Sequence, residues 1–246
     1  MILSSIWRHP IKAHGREELA SVLLSAGECL PFDRHWAVAH KAARLKEGWN
    51  PCANFSRGAK APALMAITAR LDGDIVTLSH PDRPDLSFRP DDAADLPRFL
   101  EWVRPLMPAD RAASARIVSA GRGMTDSDFP SVAILSMTSL ADLSAKMGTD
   151  LSIHRWRGNL WLDGMAPWAE FDMMGRTIAI GDTILRIEER ITRCRATTAN
   201  PDTGIIDTDT LSALSTHFNH RDFGVYATVI GGGIIAQGDS AHLIEV

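Results

Sequence analysis

The chain has 246 residues, long enough for one large domain or two small ones around a substantial core. Its 45% apolar and 23% charged residues are ordinary for a globular protein and exclude a fibrous or disordered chain. A net charge of −4 excludes a basic footprint over the whole surface, so nucleic acid is not an expected partner.

Residues 1–90 read as short strands and turns. Brief alternating or β-rich runs cover Leu3 to Arg8, His35 to His40, Leu64 to Arg70 and Ile75 to Ser79. Asp72-Gly73-Asp74 is a hairpin signal between the last two. The stretch from Arg83 to Asp95, rich in Pro and Asp, predicts a loop. Leu96, Phe99, Leu100 and Val103 then recur at helical spacing within Ala94 to Leu106.

Further on, Val132 to Leu135 predicts a buried strand. Ser136 or Thr138 is placed to cap a helix through Met147 that Gly148 ends. Strands are expected at Leu160 to Leu162, Thr177 to Ile180 and Ile184 to Glu188, with Gly181-Asp182 as the tight turn between the last two. A helix over Thr208 to Phe218 precedes strands at Val225 to Ile230 and Ile234 to Ala236, expected to close the sheet. Gly238-Asp239 turns the chain into a last strand, Leu243 to Val246. Many short strands with Gly-Asp turns point to a mostly β fold with some α, an α+β barrel carrying a few helices. The division expected is a β-rich unit over 1–90 and a second over 91–246.

Three cysteines, Cys29, Cys52 and Cys194, lie far apart without a C-x-x-C pair, so neither a structural zinc site nor a disulfide framework is indicated. The start turns polar too early for a signal peptide, and no apolar run is long enough to cross a bilayer. A cytoplasmic location away from membranes is the expectation.

Cys194 carries the most chemical information. Arg193 and Arg195 flank it, a setting that favours the thiolate, the form that binds metals and attacks electrophiles. The competing reading is a small buried apolar residue. The rigid turn Asn200-Pro201-Asp202-Thr203-Gly204 follows, in which Asp202 is either a proton donor or simply a turn former. Lys12, Arg34, Arg57, Arg155, Arg157, Arg193 and Arg195 recur at turns and strand ends. Each alone is a solvated charge, but together they would hold an anion. Ser136, Thr138 and Ser139 stand at a strand-to-helix junction, suited either to a phosphate or to capping. No zinc-protease motif, nucleophile elbow or dinucleotide fingerprint occurs.

The segment from Thr192 to Gly204 resembles the cysteine signature of MOSC-domain proteins, and most closely those of the mitochondrial amidoxime-reducing component type. Trp7-Arg8-His9-Pro10-Ile11-Lys12 and Asp33-Arg34-His35-Trp36 resemble the opening motifs of that family. Ile134 to Leu143 resembles the segment before its middle helix. Arg157-Gly158-Asn159 with Glu170 resembles its Arg-x-Asn…Glu pattern, and Phe223-Gly224-Val225-Tyr226 its Phe-Gly-x-Tyr.

The resemblance implies a MOSC β-barrel packed with an N-terminal barrel-like domain and a molybdenum–pterin cofactor between them. Cys194 would be the sulfur ligand of the metal. Lys12, Arg34 and Arg157 would contact the pterin or its phosphate; Arg57, Ser136, Thr138, Ser139, Asn159, Arg193 and Tyr226 are further cofactor-binding candidates. The implied activity is reduction of N-hydroxylated compounds (hydroxylamines, amidoximes, N-hydroxylated bases). Electrons would come from a separate protein such as a ferredoxin, a cytochrome b5-like protein or a flavin reductase. Rival readings are a cofactor carrier and a sulfur carrier. Ala13 replaces a common serine, and Gly158 replaces a frequent proline, a change expected to loosen that loop.

Overall fold

In the computed structural model, which describes residues 1–245, the chain is mostly β with three α-helices. The N-terminal half contains β1 (Ile2–Arg8), β2 (Glu17–Leu19), β3 (Ser21–Leu24), β4 (Trp36–His40), β5 (Thr68–Asp72), β6 (Ile75–His80), β7 (Arg83–Phe88) and α1 (Leu96–Val103). There follow β8 (Ser114–Ser119), β9 (Val132–Ser136), α2 (Met137–Met147), β10 (Leu160–Asp163), β11 (Thr177–Ile180) and β12 (Thr183–Thr192). The chain continues through α3 (Thr210–Phe218), β13 (Asp222–Gly231), β14 (Gly233–Ala236) and β15 (Ala241–Ile244).

An eight-stranded sheet in the order β15-β11-β12-β13-β9-β10-β1-β2 forms the frame. Strand β9 is buried along its whole length because both faces of the sheet are covered there. Val132 and Ile134 join a core with Leu3, Ile6, Leu160, Leu185 and Val225. Ala133 and Leu135 face Leu140, Leu143, Trp156 and Phe223 under α2 and α3. A third core joins Ile11, Trp36 and Val38 to Leu64, Val76, Leu78 and Phe88, with Phe99 and Trp102 of α1 packed in. Strand β8 pairs with β4, and β5-β6-β7 form a separate antiparallel sheet.

Most expected elements form, and the local chemistry explains them. Ser136 accepts from the Ser139 amide to cap α2, and Gly148 ends it in left-handed backbone. Other elements depart from expectation. Arg83–Phe88 is a strand rather than a loop: β7 is a sheet edge, where Pro84 costs no ladder hydrogen bond. The run from Leu64 to Arg70 splits into a 3-10 turn, Pro62–Ala66, and β5. Strand β14 does not extend the main sheet; it pairs with β3. The last strand is Ala241–Ile244, and Val246, where it was expected to end, lies outside the described residues. No helix among the described residues is long and apolar enough to cross a membrane.

Candidate cofactor site

Strand β12 delivers the key thiol. It runs three residues beyond the irregularity at Ile187/Glu189 in its pairing with β13, and Cys194 follows Thr192 by two residues as the N-cap of a 3-10 turn, Arg195–Thr198. Thr197 fixes that turn by donating both its amide and its hydroxyl to the Cys194 carbonyl. Cys194 is exposed and faces a cavity of about 450 Å³.

Both halves of the chain line this cavity. Lys12, Arg34, Cys52, Arg57 and Met65 come from the N-terminal half, and Asp126 from the loop before β9. Trp156, Arg157, Arg193, Cys194 and Tyr226 come from the rest. Three lining residues other than glycine, Ala13, Arg34 and Arg157, hold positive φ of 63°, 52° and 49°. Such backbone is costly for a residue with a side chain and persists where surrounding structure enforces it, often at functional sites.

The cations are unequally compensated. Arg34 donates to Asp33, which also accepts from the His9 amide at 2.8 Å. Burial opposes the charge on Arg34, but Asp33 together with Tyr226 and Asp126 outweighs it and holds the guanidinium above its usual value. Lys12 donates from Nζ to Asp126 Oδ1 and to the Met124 carbonyl, both at 2.6 Å. Burial still pushes Lys12 down. Arg157 binds only a carbonyl, Gly15 O at 3.1 Å; burial, then Arg34, pushes it down to about 9. Arg193 binds the carbonyls of Trp156 and Phe223, and burial pushes it down to about 10. Both arginines remain cations at neutral pH and lack a carboxylate partner. Tyr226 is raised to about 12 by burial and then by Asp126.

Of the sequence candidates, Lys12, Arg34, Arg57, Arg157, Arg193, Cys194 and Tyr226 meet at the cavity. Ser136, Thr138, Ser139, Asn159 and Asp202 are not in its lining. Ser136 bonds Thr138 and the Ser139 amide, while Ser139 Oγ donates to Glu170 Oε2 at 2.8 Å. Asn159 ties the Ala133 amide to the Trp7 carbonyl, joining β9 to β1. Asp202 is exposed and pairs with Arg16 Nη2 at 3.4 Å. At Gly158, where looser loop packing was expected, a β-carbon would meet Leu135 Cδ1 at 2.3 Å, so the absent side chain lets the loop pack closely on β9.

Sequence reasoning missed Cys52, Met65 and Asp126. Cys52 Sγ accepts from Arg57 Nη1 at 2.9 Å inside the cavity. Neither Cys52 nor Asp126 belongs to a periodic or motif-like run, and only their place in space marks them.

Residues 1–105 match the MOSC N-terminal beta barrel domain, and residues 124–242 match the MOSC domain. The chain belongs to the MOSC family. Over 98% of its length this MOSC protein is 24% identical to "Mitochondrial amidoxime-reducing component 1" of Mus musculus and of Homo sapiens, covering 82% of each. The Danio rerio protein of the same name is 22% identical over 99% of the chain and 85% of its own length. Among solved structures, the YUAD protein from Bacillus subtilis overlays with a TM-score of 0.48 at 13% identity, covering 99% of this chain and 96% of that one. MOSC domains are associated with the molybdenum cofactor.

The residues of this MOSC protein fit such a group. Among the described residues no three His, Cys, Asp or Glu side chains converge as a metal cage. A metal at Cys194 would therefore draw its other ligands from a small molecule, and a soft thiolate suits that role. The unpaired cations suit an anionic tail. Arg155 and Trp156, which line the cavity, also carry buried nitrogens without a hydrogen-bond partner: Nε and Nη1 of the former and Nε1 of the latter.

Proposed function

We propose that this MOSC protein binds the molybdenum cofactor with Cys194 as the sulfur ligand and reduces N-hydroxylated compounds. The substrates proposed are hydroxylamines, amidoximes and N-hydroxylated bases. The observation that carries this reading is the position of one exposed thiol on a cavity where Arg157 and Arg193 have no carboxylate partner. When bound, the cofactor supplies two-electron redox chemistry that protein side chains lack.

The chain's own groups do the rest. Cys194 is held at the cavity by its turn, which limits the rearrangement needed to ligate. Lys12, Arg34 and Arg157 bind the anionic end of the cofactor, and Arg supplies paired donors matched to phosphate oxygens. Tyr226 keeps its proton on Oη up to about pH 12, so at neutral pH it is a hydrogen-bond donor facing the cavity. In the proposed reaction it would donate to the substrate's N–O oxygen. Asp202, exposed outside the lining, reaches that oxygen only through solvent.

Three cysteines are too few to hold a four-cysteine iron–sulfur cluster, so the proposed electron donor is a separate redox protein: a ferredoxin, a cytochrome b5-like protein or a flavin reductase. The three unpaired thiols favour a reducing compartment, and the cytoplasm is the proposed location.

The test is molybdenum and pterin content per chain, wild type against Cys194→Ser, on protein made with full cofactor supply. The expected result is near-stoichiometric metal and pterin in the wild type, loss of metal in the variant, and amidoxime reduction by the wild type with a chemical reductant. Metal and pterin absent from both proteins would sink the reading. Cofactor bound without turnover would leave a carrier.

A further inference from the structure

Two carboxylates, Asp126 and Glu189, line the cavity among its cations, and Asp126 pairs with Lys12. Asp126 comes from the segment between β8 and β9 that forms neither helix nor strand, and its carboxylate meets Lys12 Nζ at 2.6 Å. The two partners differ sharply in setting. The Lys12 side chain is 6% exposed, and that of Asp126 is 57% exposed. The lysine is therefore fixed in the wall, also held by the Met124 carbonyl, while the carboxylate presents its surface to the cavity.

We infer that Asp126 is a displaceable counter-ion, which occupies the place of a bound phosphate group at Lys12 and leaves it when phosphate enters. The alternative, a permanent ion pair, fits the setting less well. The carboxylate is open to the cavity, so an anion can reach Lys12 as Asp126 leaves, and the buried ammonium is never left unpaired. A phosphate with three oxygens satisfies Lys12 together with the guanidinium groups of Arg34 and Arg157, whereas one carboxylate neutralises a single charge. The same electrostatics support the exchange: the Asp126 charge favours the cation most at Lys12 and, to a smaller extent, at Arg34, Arg157 and Arg193. Asp126 thus lowers the cost of gathering cations around the cavity, and it competes with an anionic ligand for them. The exchange sets how tightly and how selectively the cavity takes an anion. A monoanion gains little over the resident carboxylate, and a dianionic phosphate gains more.

This inference rests on the cavity being an anion site and not on the metal, so its test uses inorganic phosphate and metal-free protein. Phosphate binding is measured by calorimetry at low salt for wild type, Asp126→Asn and Asp126→Ala, with Asp128→Asn, an exposed neighbour, as the charge control. The expected result is about tenfold tighter phosphate binding for both Asp126 variants, equivalent to about 1.4 kcal/mol, and less than twofold change for the control. In a Lys12→Gln background the gain from Asp126→Asn should largely vanish. Unchanged or weaker phosphate binding in both Asp126 variants, with melting temperatures near wild type, overturns the inference. An equal gain in the Lys12→Gln background overturns it too, because the effect would then be general charge. If phosphate behaves as expected while molybdenum never binds, the counter-ion stands and the proposed reductase falls.

Discussion

Arg34 donates from Nη2 to the carbonyl oxygen of Arg157 at 2.8 Å, and both residues hold left-handed backbone. This contact ties a turn of the N-terminal half to a turn of the MOSC domain across the cavity. It also places two guanidinium groups together, one compensated by Asp33 and one with no carboxylate partner. Function here has a stability cost, because a buried cation is expensive unless something pairs with it.

Replacing that cation should separate the two demands. Arg157→Met is expected to raise the stability of cofactor-free protein by about 1 kcal/mol, as removal of a half-buried charge without a carboxylate hydrogen-bond partner does. The same variant should lose most of its phosphate-induced gain in melting temperature, since binding stabilises only what it binds. Thermal unfolding with and without phosphate checks both; a variant less stable than wild type and equally responsive to phosphate would refute the assignment.

Tyr226 is the sole tyrosine of the chain, so tyrosinate absorbance reports on it alone. Burial raises it to about 12, against about 10 for a tyrosine in water. An acid raised on folding contributes stability that is intact below about pH 10 and lost as pH rises toward 12. A spectroscopic titration of the folded protein should therefore show little tyrosinate at pH 10.5 or so, and the denatured chain should titrate near 10. Coincident curves would place the hydroxyl in open water.

Acid should act through histidines. Burial pushes His9 down to about 3, and His14 and His154 down to about 4. A base lowered on folding contributes stability present above its unfolded value of 6.5 and lost as pH falls through the folded one. The melting temperature should therefore fall from about pH 6.5 toward 4, each such histidine adding a slope of about 1.4 kcal/mol per pH unit. Proton NMR should find at least three of the nine histidines still neutral at pH 5, and fewer than three would contradict the burial.

Gly204 closes the Asn-Pro-Asp-Thr-Gly turn at φ 70°, and a β-carbon there would lie 2.5 Å from Ala63 Cα. The obstacle is backbone, which cannot swing aside. Gly204→Ala should cost about 2 kcal/mol, combining strain at positive φ with the displaced turn. Cofactor content should fall with it, because Ala63 belongs to the N-terminal half and the same turn follows Cys194. Calorimetric unfolding and metal analysis measure the two effects.

Alone, the sequence determined what short-range chemistry controls. The hairpin at Asp72-Gly73-Asp74, helix α2 between Ser136 and Gly148, and the buried β9 all follow from turn residues, caps and periodicity within a few positions. The cysteine segment and the basic turns likewise marked the site, because their residue types and order carry the family's resemblance.

Only the tertiary structure decided which of those groups share a space. Lys12 and Asp126 are 114 positions apart, and no local preference links them. Ser139 and Asn159 sit in promising motifs, yet each spends its hydrogen bonds on neighbouring backbone or on Glu170. Strand β14 reads as one more strand of the barrel until β3 supplies its ladder. In each case the outcome depends on a partner distant in the chain, and a hydrogen bond or ion pair acts over a few ångströms of space, whatever the separation in sequence.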